Sequence, residues 1–399
     1  MKGEDWTSES SPEYGVYTYP QSLILTNTNH PFFVASPKLF GLMNDTSAER
    51  TTRTIEGKQI LGRRISINNK TVDLVKLSEI ADVKQGLATG DNHSYLFQNP
   101  EVRGNYKNIN ESRELLLTEV DLERIRNNDN LRLAVIAKGI SKNDMSSERY
   151  FGGRYIVPYD KGGESDSGEG WMPNYYVPTN YFIDWSEWSL NRLKTYTIAE
   201  RIVDKKENKT IKNHYHNTAC AVFRSPSLYF SKSISFSRTG VYSPTFRIGS
   251  ISSFDTEGSM IFQEKEIFEY NELLAVLTAK AFKLFAKCFM GHTVHCQVEE
   301  LKEVSISLIL SKKVIQIIFN IITDQKQNPH YDYASHEQLE IDALVYQAYG
   351  LNWADIRELE NWYERRYAKL VKAQKRNLAA LGKPTNYIEI YKGILGEKI

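Results

Sequence analysis

Residues 77–97 read LSEIADVKQGLATGDNHSYLF. Ser78, with Glu79 beside it, opens a helical turn behind the apolar run of residues 72–77, and Gly86 ends the unit. Residues 93–98, HSYLFQ, then have the character of a strand. Between them lies KQGLATGDN, Lys84 to Asn92. Two glycines, Thr89 and Lys84 give it the composition of a loop that holds phosphate. A nucleotide P-loop requires G-x-x-x-x-G-K-[ST]. Here only three residues separate Gly86 from Gly90, and Asp91 follows, whose carboxylate would repel a triphosphate. No third glycine opens a helix, so a dinucleotide fingerprint fails as well. Two readings stay open: a turn whose glycines take positive φ, or a loop in which Lys84, Gln85, Gly86, Thr89 and Gly90 meet nucleic-acid phosphate.

The totals narrow the class. A chain of 399 residues, 41% hydrophobic and 25% charged, has the composition of two or three folded domains. No apolar run approaches the eighteen residues of a membrane span. The opening MKGEDWTSES is too acidic and polar for a secretory leader. Cys220, Cys288 and Cys296 make no even disulfide framework, so a reducing cytoplasm is expected. A net charge of +1 leaves polyanion binding to be judged from how charge is distributed. The 24 tyrosines and 6 tryptophans favour interfaces, where an apolar face and a polar tip are both used.

Outward from the opening stretch, residues 1–70 read as an irregular arm or linker with short strands. LRLAVIAKGI (131–140) and GRYIVPYD (153–160) look strand-like, and a long loop rich in glycine, proline and aromatics fills 161–190. Strands recur through 222–262. Residues 265–290 are expected to form an amphipathic helix, with Leu274, Leu277, Ala281, Leu284 or Phe285, and Cys288 at three- and four-residue spacing. A strand at EVSISLI and helices at 311–324, 335–351 and 353–377 follow. The last of these ends in Arg365, Arg366, Lys369, Lys372, Lys375 and Arg376, which either track a polyanion or form a solvated face. The expected fold is α+β: an arm at 1–70, a mixed-sheet domain at 71–310 and a helical region at 311–399.

Residues 222–251, VFRSPSLYFSKSISFSRTGVYSPTFRIGSI, contain Arg224, Lys232, Arg238 and Arg247 and no acid. Eight serines and two threonines alternate with aromatics. Hydroxyls and arginines bind phosphate and read base edges, so the stretch suits a nucleic-acid surface; a hydroxyl-rich strand pair in any β structure has the same composition. Metal chemistry is not expected. In CFMGHTVHC, His295 and Cys296 are adjacent and Cys288 lies on the apolar helix face, which is poor for one tetrahedral ion. His214, His216 and Cys220 are as loosely spaced. Nor does catalytic machinery stand out. QNPHYDY is only superficially like the N-P-P-Y motif of amino-methyltransferases, because a polar linker rather than an apolar strand precedes it. Paired carboxylates (Asp160 with Glu164, Asp255 with Glu257) mean little by spacing alone, and no G-x-S-x-G elbow occurs.

Taken together, several segments resemble one family. LSEIADVKQGLATGDNHSYLF is similar to the start of the target recognition domain of type IIG restriction–modification enzymes and related adenine-specific DNA methyltransferases, including those of BREX phage-defence systems. YDKGGESDSGEGWMPNYYVP resembles that family's Lys-Gly-Gly segment before a tryptophan-rich loop. SFSRTGVYSPTFRIG with FDTEGSMIFQ resembles its Ser-Arg strands. LLAVLTAKAFKLFAKCFMGHTVHCQVEELKEVSI resembles its long helix and following strand, and IDALVYQAYGL its closing helix. Residues 72–351 are covered. Leu-Thr-Ala stands where Leu-Asn-Ser is usual, and a proline before the closing strand is missing.

The resemblance implies sequence-specific recognition of double-stranded DNA for an adenine-N6 methyltransferase. The catalytic core and its S-adenosylmethionine would belong to a partner subunit or to another part of a longer enzyme, with no cofactor in this chain. It implies phosphate contacts from Lys84, Lys161, Lys232 and the backbone of Gly86–Gly90 and of Gly162–Gly163. Arg224, Ser237, Arg238, Thr239 and Tyr242, with Arg247 nearby, would face the groove, and residues 311–377 would dock the catalytic partner. Two rivals remain: a nuclease with an unrecognised metal site, and a carbohydrate- or protein-binding module using the Trp and Tyr loop at 171–188.

Overall fold

The computed structural model describes residues 17–18, 35–44, 48–55, 57–102, 104–162, 171–195, 221–240, 242, 244–263, 268–290, 295–308 and 310–397. Its strands are β1 (Glu49–Ile55), β2 (Lys58–Ile67), β3 (Lys70–Lys76), β4 (Asp82–Lys84), β5 (Leu96–Gln98), β6 (Lys107–Asn108), β7 (Ile156–Asp160), β8 (Tyr181–Asp184), β9 (Ile234–Ser237), β10 (Thr245–Ile248), β11 (Ser253–Phe254), β12 (Met260–Phe262) and β13 (Ser305–Ser307). The longer helices are α1 (Pro37–Asn44), α2 (Glu119–Arg126), α3 (Asp129–Lys138), α4 (Glu187–Thr195), α5 (Tyr270–Thr278), α6 (Lys280–Phe285), α7 (Lys313–Gln327), α8 (Glu337–Ala348), α9 (Trp353–Arg366), α10 (Ala368–Ala380) and α11 (Tyr387–Leu395). The fold is α+β, with mixed sheets followed by a helical C-terminal region.

Part of the stretch expected to be an irregular arm with short strands, residues 49–55 and 58–67, belongs to a regular sheet. β1, β2, β3 and β13 pair antiparallel in that order. Asn68 and Asn69 turn the β2–β3 hairpin with φ of 51° and 60°, a left-handed pair that asparagine tolerates and that matches the twist of the strands. The boundary expected at residue 70 therefore falls inside one hairpin. Arginines in β2 hid the strand, but each has a protein partner. The Arg63 guanidinium donates to Leu42 O and to Ser305 Oγ (2.9 and 2.7 Å), and Arg64 Nε to Asp73 Oδ1 (2.9 Å). Ile65, Ile67, Val72 and Leu74 are left to enter the core.

Two large cores result. One gathers residues from α1 and β2–β4 with α5–α11; the other gathers residues from 87 to 230 with Phe254, Met260 and Phe262. The sheet β10-β9-β12-β4 lies between them. Alternation along its strands feeds both sides: Ile261 joins the first core, Met260 and Phe262 the second. In β9, Ile234 and Phe236 join the first core, so Ser233, Ser235 and Ser237 share the opposite face. The hydroxyl-rich pattern is therefore largely interior.

The third sheet, β11-β7-β8-β5-β6, is mixed: β11 with β7 and β5 with β6 run parallel, the inner pairs antiparallel. LRLAVIAKGI, expected as a strand, is helix α3. Asn128 caps its first turn by accepting from Leu131 N (3.0 Å), Gly139 ends it at φ 77°, and Leu131, Val135 and Ile136 are buried. The caps outweigh the β-branched composition.

The expected amphipathic helix at 265–290 is also corrected. It breaks at Ala279 into α5 and α6, then widens into a π-turn at 286–290, and its polar residues Glu272, Lys280, Lys283 and Lys287 are buried with its leucines. The helix expected over 353–377 likewise breaks at Tyr367 into α9 and α10.

Lys280 is the hub of the helical half. Only 3% exposed, it donates to Glu360 Oε2 (2.8 Å) and Tyr391 Oη (3.1 Å) and lies 3.8 Å from the Tyr387 ring centre. Glu360 Oε1 accepts from Tyr346 and Tyr391 (2.6 and 2.8 Å). Asp342 is less well served. Its Oδ1 accepts from Lys280 N and Gln338 Nε2, while Oδ2 has no hydrogen bond and lies 3.9 Å from Lys280 Nζ.

Burial therefore pushes the Asp342 carboxyl up to about 7, against the Lys280 charge. The fold favours the protonated acid, so this stabilisation is full below the ordinary aspartate range and is lost as pH rises through about 7. Stability should fall by up to about 1.4 kcal/mol per pH unit between pH 5 and 7. Asp342→Asn should flatten that slope in urea denaturation; Glu358, also raised chiefly by burial, keeps a residue of it. An unchanged slope in the variant would acquit Asp342.

Candidate functional site

The loop Lys84–Asn92 is built by contacts within the protein. Gly86 N donates to Asp255 O (3.2 Å), Leu87 N to Phe254 O (2.7 Å) and Ala88 N to Val222 O (3.1 Å). A Cβ on Gly86 would sit 1.9 Å from Phe254 O, so this glycine admits a neighbouring strand rather than a phosphate. Gly90 turns the chain at φ 73°, and Asp91 caps the helical turn 92–95 by accepting from Ser94 N (3.2 Å). The phosphate expectation for the amides of 86–88 is corrected: carbonyls of the protein already hold them.

The same loop abuts a polar ridge made by segments distant in sequence, 160–162, 237–239, 247, 255–257 and 295–297. At its base Arg247, 3% exposed, pairs with Asp160 Oδ1 (2.7 Å) and donates to Ser237 Oγ (3.3 Å). Ser237 donates to Gly162 O, and Gly162 N to Asp160 Oδ1 (2.9 Å). Gly162 takes φ 100°, and a Cβ there would lie 2.9 Å from Glu257 O. Above this base, Lys161 Nζ lies 3.3 Å from Asp255 Oδ2 and over the Tyr106 and Tyr181 rings (5.5 and 5.8 Å). Arg238 donates to Thr256 O (3.3 Å) and Gln297 Oε1 (2.8 Å) and lies 3.6 Å from Glu257. Thr239 is exposed, donates to Glu257 Oε2 (2.9 Å) and lies 3.0 Å from His295 Nδ1.

The expected site residues thus divide by depth. Thr239, Gly90 and Lys232 are exposed; Lys84, Gln85, Lys161, Arg224 and Arg238 are half-buried. Gly86, Thr89, Gly162, Ser237, Tyr242 and Arg247 are buried, and Gly163 lies outside the described residues. Three residues expected at a groove are corrected by this. Arg247 and Ser237 are the ridge's internal frame, and Tyr242 packs edge-on against Tyr367 at 5.8 Å. Sequence reading missed His295 and Gln297, whose partners lie 56 and 59 positions away in the chain.

Electrostatically the ridge is matched rather than bare. Lys84 pairs with Asp82 (3.2 Å), Lys161 with Asp255, Arg238 with Glu257 and Arg247 with Asp160. Beside it opens a cleft of about 450 Å³, floored by Asp160 and Arg247 and flanked by Lys161, Tyr176, Tyr181 and Lys326. The remaining aromatics of the loop are mostly committed inside. Trp185 and Tyr175 are fully buried, with Trp185 Nε1 donating to Val135 O (3.1 Å) and Tyr175 Oη to Gln338 Oε1 (2.6 Å). Trp188 is 65% exposed and carries the Arg192 guanidinium over its ring at 5.5 Å.

Among the described residues no three His, Cys, Asp or Glu side chains converge as a metal-ligand set; His214, His216, Cys220 and His292 lie outside them. Burial pushes the Cys296 thiol up to about 12 and holds the Lys287 ammonium below its ordinary value, so Cys296 stays a thiol. No protein-family model matches the chain, and no curated protein matches it.

Proposed function

We propose that the chain recognises double-stranded DNA by sequence for an adenine-N6 methyltransferase whose catalytic core and S-adenosylmethionine are supplied by a partner or by another part of a longer enzyme. One observation carries this reading. The segments that bear the family resemblance, 84–92, 160–162, 237–239 and 254–257, lie far apart in sequence yet hydrogen-bond to one another in a single ridge. Residues that merely shared a composition would have no reason to meet.

The roles follow depth. Thr239 and Lys161 meet the DNA, a hydroxyl offered to a base edge and an ammonium to phosphate. Arg238 and Arg247 hold the ridge in shape and are positioning residues. Tyr106 and Tyr181 keep Lys161 in place.

Selection of duplexes from a random pool by the full chain tests this. The wild type should enrich a defined motif. Thr239→Ala should lose discrimination at one base pair, worth about 1–3 kcal/mol, with little change in affinity for unrelated DNA. No enrichment and no duplex binding at 50 mM salt would sink the proposal.

A further inference from the structure

Helix α10 carries a second cationic surface of a different electrical kind. From Arg365 to Ile388 the chain has seven lysines or arginines and no acid. The helix buries Leu370, Val371, Ala373, Gln374 and Leu378, and Gln374 Nε2 donates to Ala334 O. At about 100° per residue, Lys369, Lys372 and Arg376 fall within about 60° of one another on the opposite side, along about 10 Å of helix axis. All three are exposed. Among the described residues none of them has an ion-pair partner, whereas Lys375, at the edge of the stripe, takes Glu364 at 2.7 Å. Each cation of the ridge is neutralised by a carboxylate; the field of this stripe is not.

The base of α10 is tied to chain that leads out of the ridge. Tyr367, the residue before α10, packs on Tyr242, three residues beyond Thr239. A duplex offers about one negative charge per 1.7 Å of axis, so several phosphates fit along such a stripe. Cations without carboxylates can neutralise them without first giving up a partner.

We propose that Lys369, Lys372 and Arg376 bind the phosphodiester backbone of the duplex whose bases the ridge reads. The inference rests on the DNA-recognition reading and divides its labour: α10 supplies salt-dependent affinity, the ridge supplies preference.

The test is fluorescence anisotropy with a random-sequence 30-bp duplex between 50 and 200 mM KCl, using the full chain. Replacing all three cations (K369Q, K372Q, R376Q) should lower the slope of log affinity against log salt by about 2.7. Across that range the wild type should therefore lose about 40-fold more affinity than the variant. K302Q with K392Q, which removes two surface lysines already paired to Glu299 and Glu397, should leave the slope in place. If the wild type binds duplex and the triple variant keeps its slope, the inference falls while the recognition reading stands. An equal slope loss in the control pair also overturns it. If the wild type binds no duplex but captures anionic phosphatidylserine vesicles through the three cations, the recognition reading and this inference fail together.

Discussion

Lys280→Ala should be the most damaging single substitution in the helical half, at about 3–5 kcal/mol in urea denaturation. The ammonium joins four helices: it sits on α6, bonds Glu360 of α9 and Tyr391 of α11, and neighbours Asp342 of α8. Removing it leaves Glu360 and Asp342 buried without a cation, and a buried carboxylate cannot recover its hydration there. It also takes the cation from the face of Tyr387, which helps hold α11. Hydrogen exchange should therefore speed up in residues 387–395 before the rest of the chain. A loss below about 1 kcal/mol would mean that water or a side-chain rearrangement replaces the ammonium.

Gly86→Ala should cost about 3 kcal/mol, a large effect for one methyl group. The added carbon would lie 1.9 Å from Phe254 O and 2.5 Å from the Phe254 ring. Backbone must move, because a carbonyl in β11 has no alternative rotamer. The movement would break the Gly86 N and Leu87 N hydrogen bonds that fasten the loop to residues 254–255. Thermal unfolding would read the loss. Full native stability in this variant would mean that Gly86 does not pack against Phe254 as described.

What could be read without coordinates was local. The strands at 156–160, 234–237, 260–262 and 305–307 sit where apolar runs and alternation put them. So do helices α7 and α8, although α7 runs to Gln327. What could not be read was pairing across the chain. Arg247 looked like a groove residue because the acid that buries it, Asp160, lies 87 positions earlier. Arg63 and Arg64 disguised a strand because their acceptors lie in α1, β3 and β13. Lys280 gave no local sign of its burial, since three of the groups that make that burial tolerable are contributed by helices 62 to 111 residues downstream. Local pattern specifies an element; the fate of a charge depends on who arrives opposite it.

The sheet β10-β9-β12-β4 has an architectural consequence. The second core is built almost wholly from chain that leaves through β4 and returns through β12, and those two strands pair side by side, Val83 opposite Ile261. Entry and exit are thus one ladder spacing apart. The ridge segments at 160–162 and 254–257 lie inside this excursion, the helical half outside it. The excursion is rooted at one place yet not separable from its frame, because Tyr175, Ile234, Phe236 and Phe246 from inside it enter the first core, so a change in its length is absorbed in the segments that stay clear of that core.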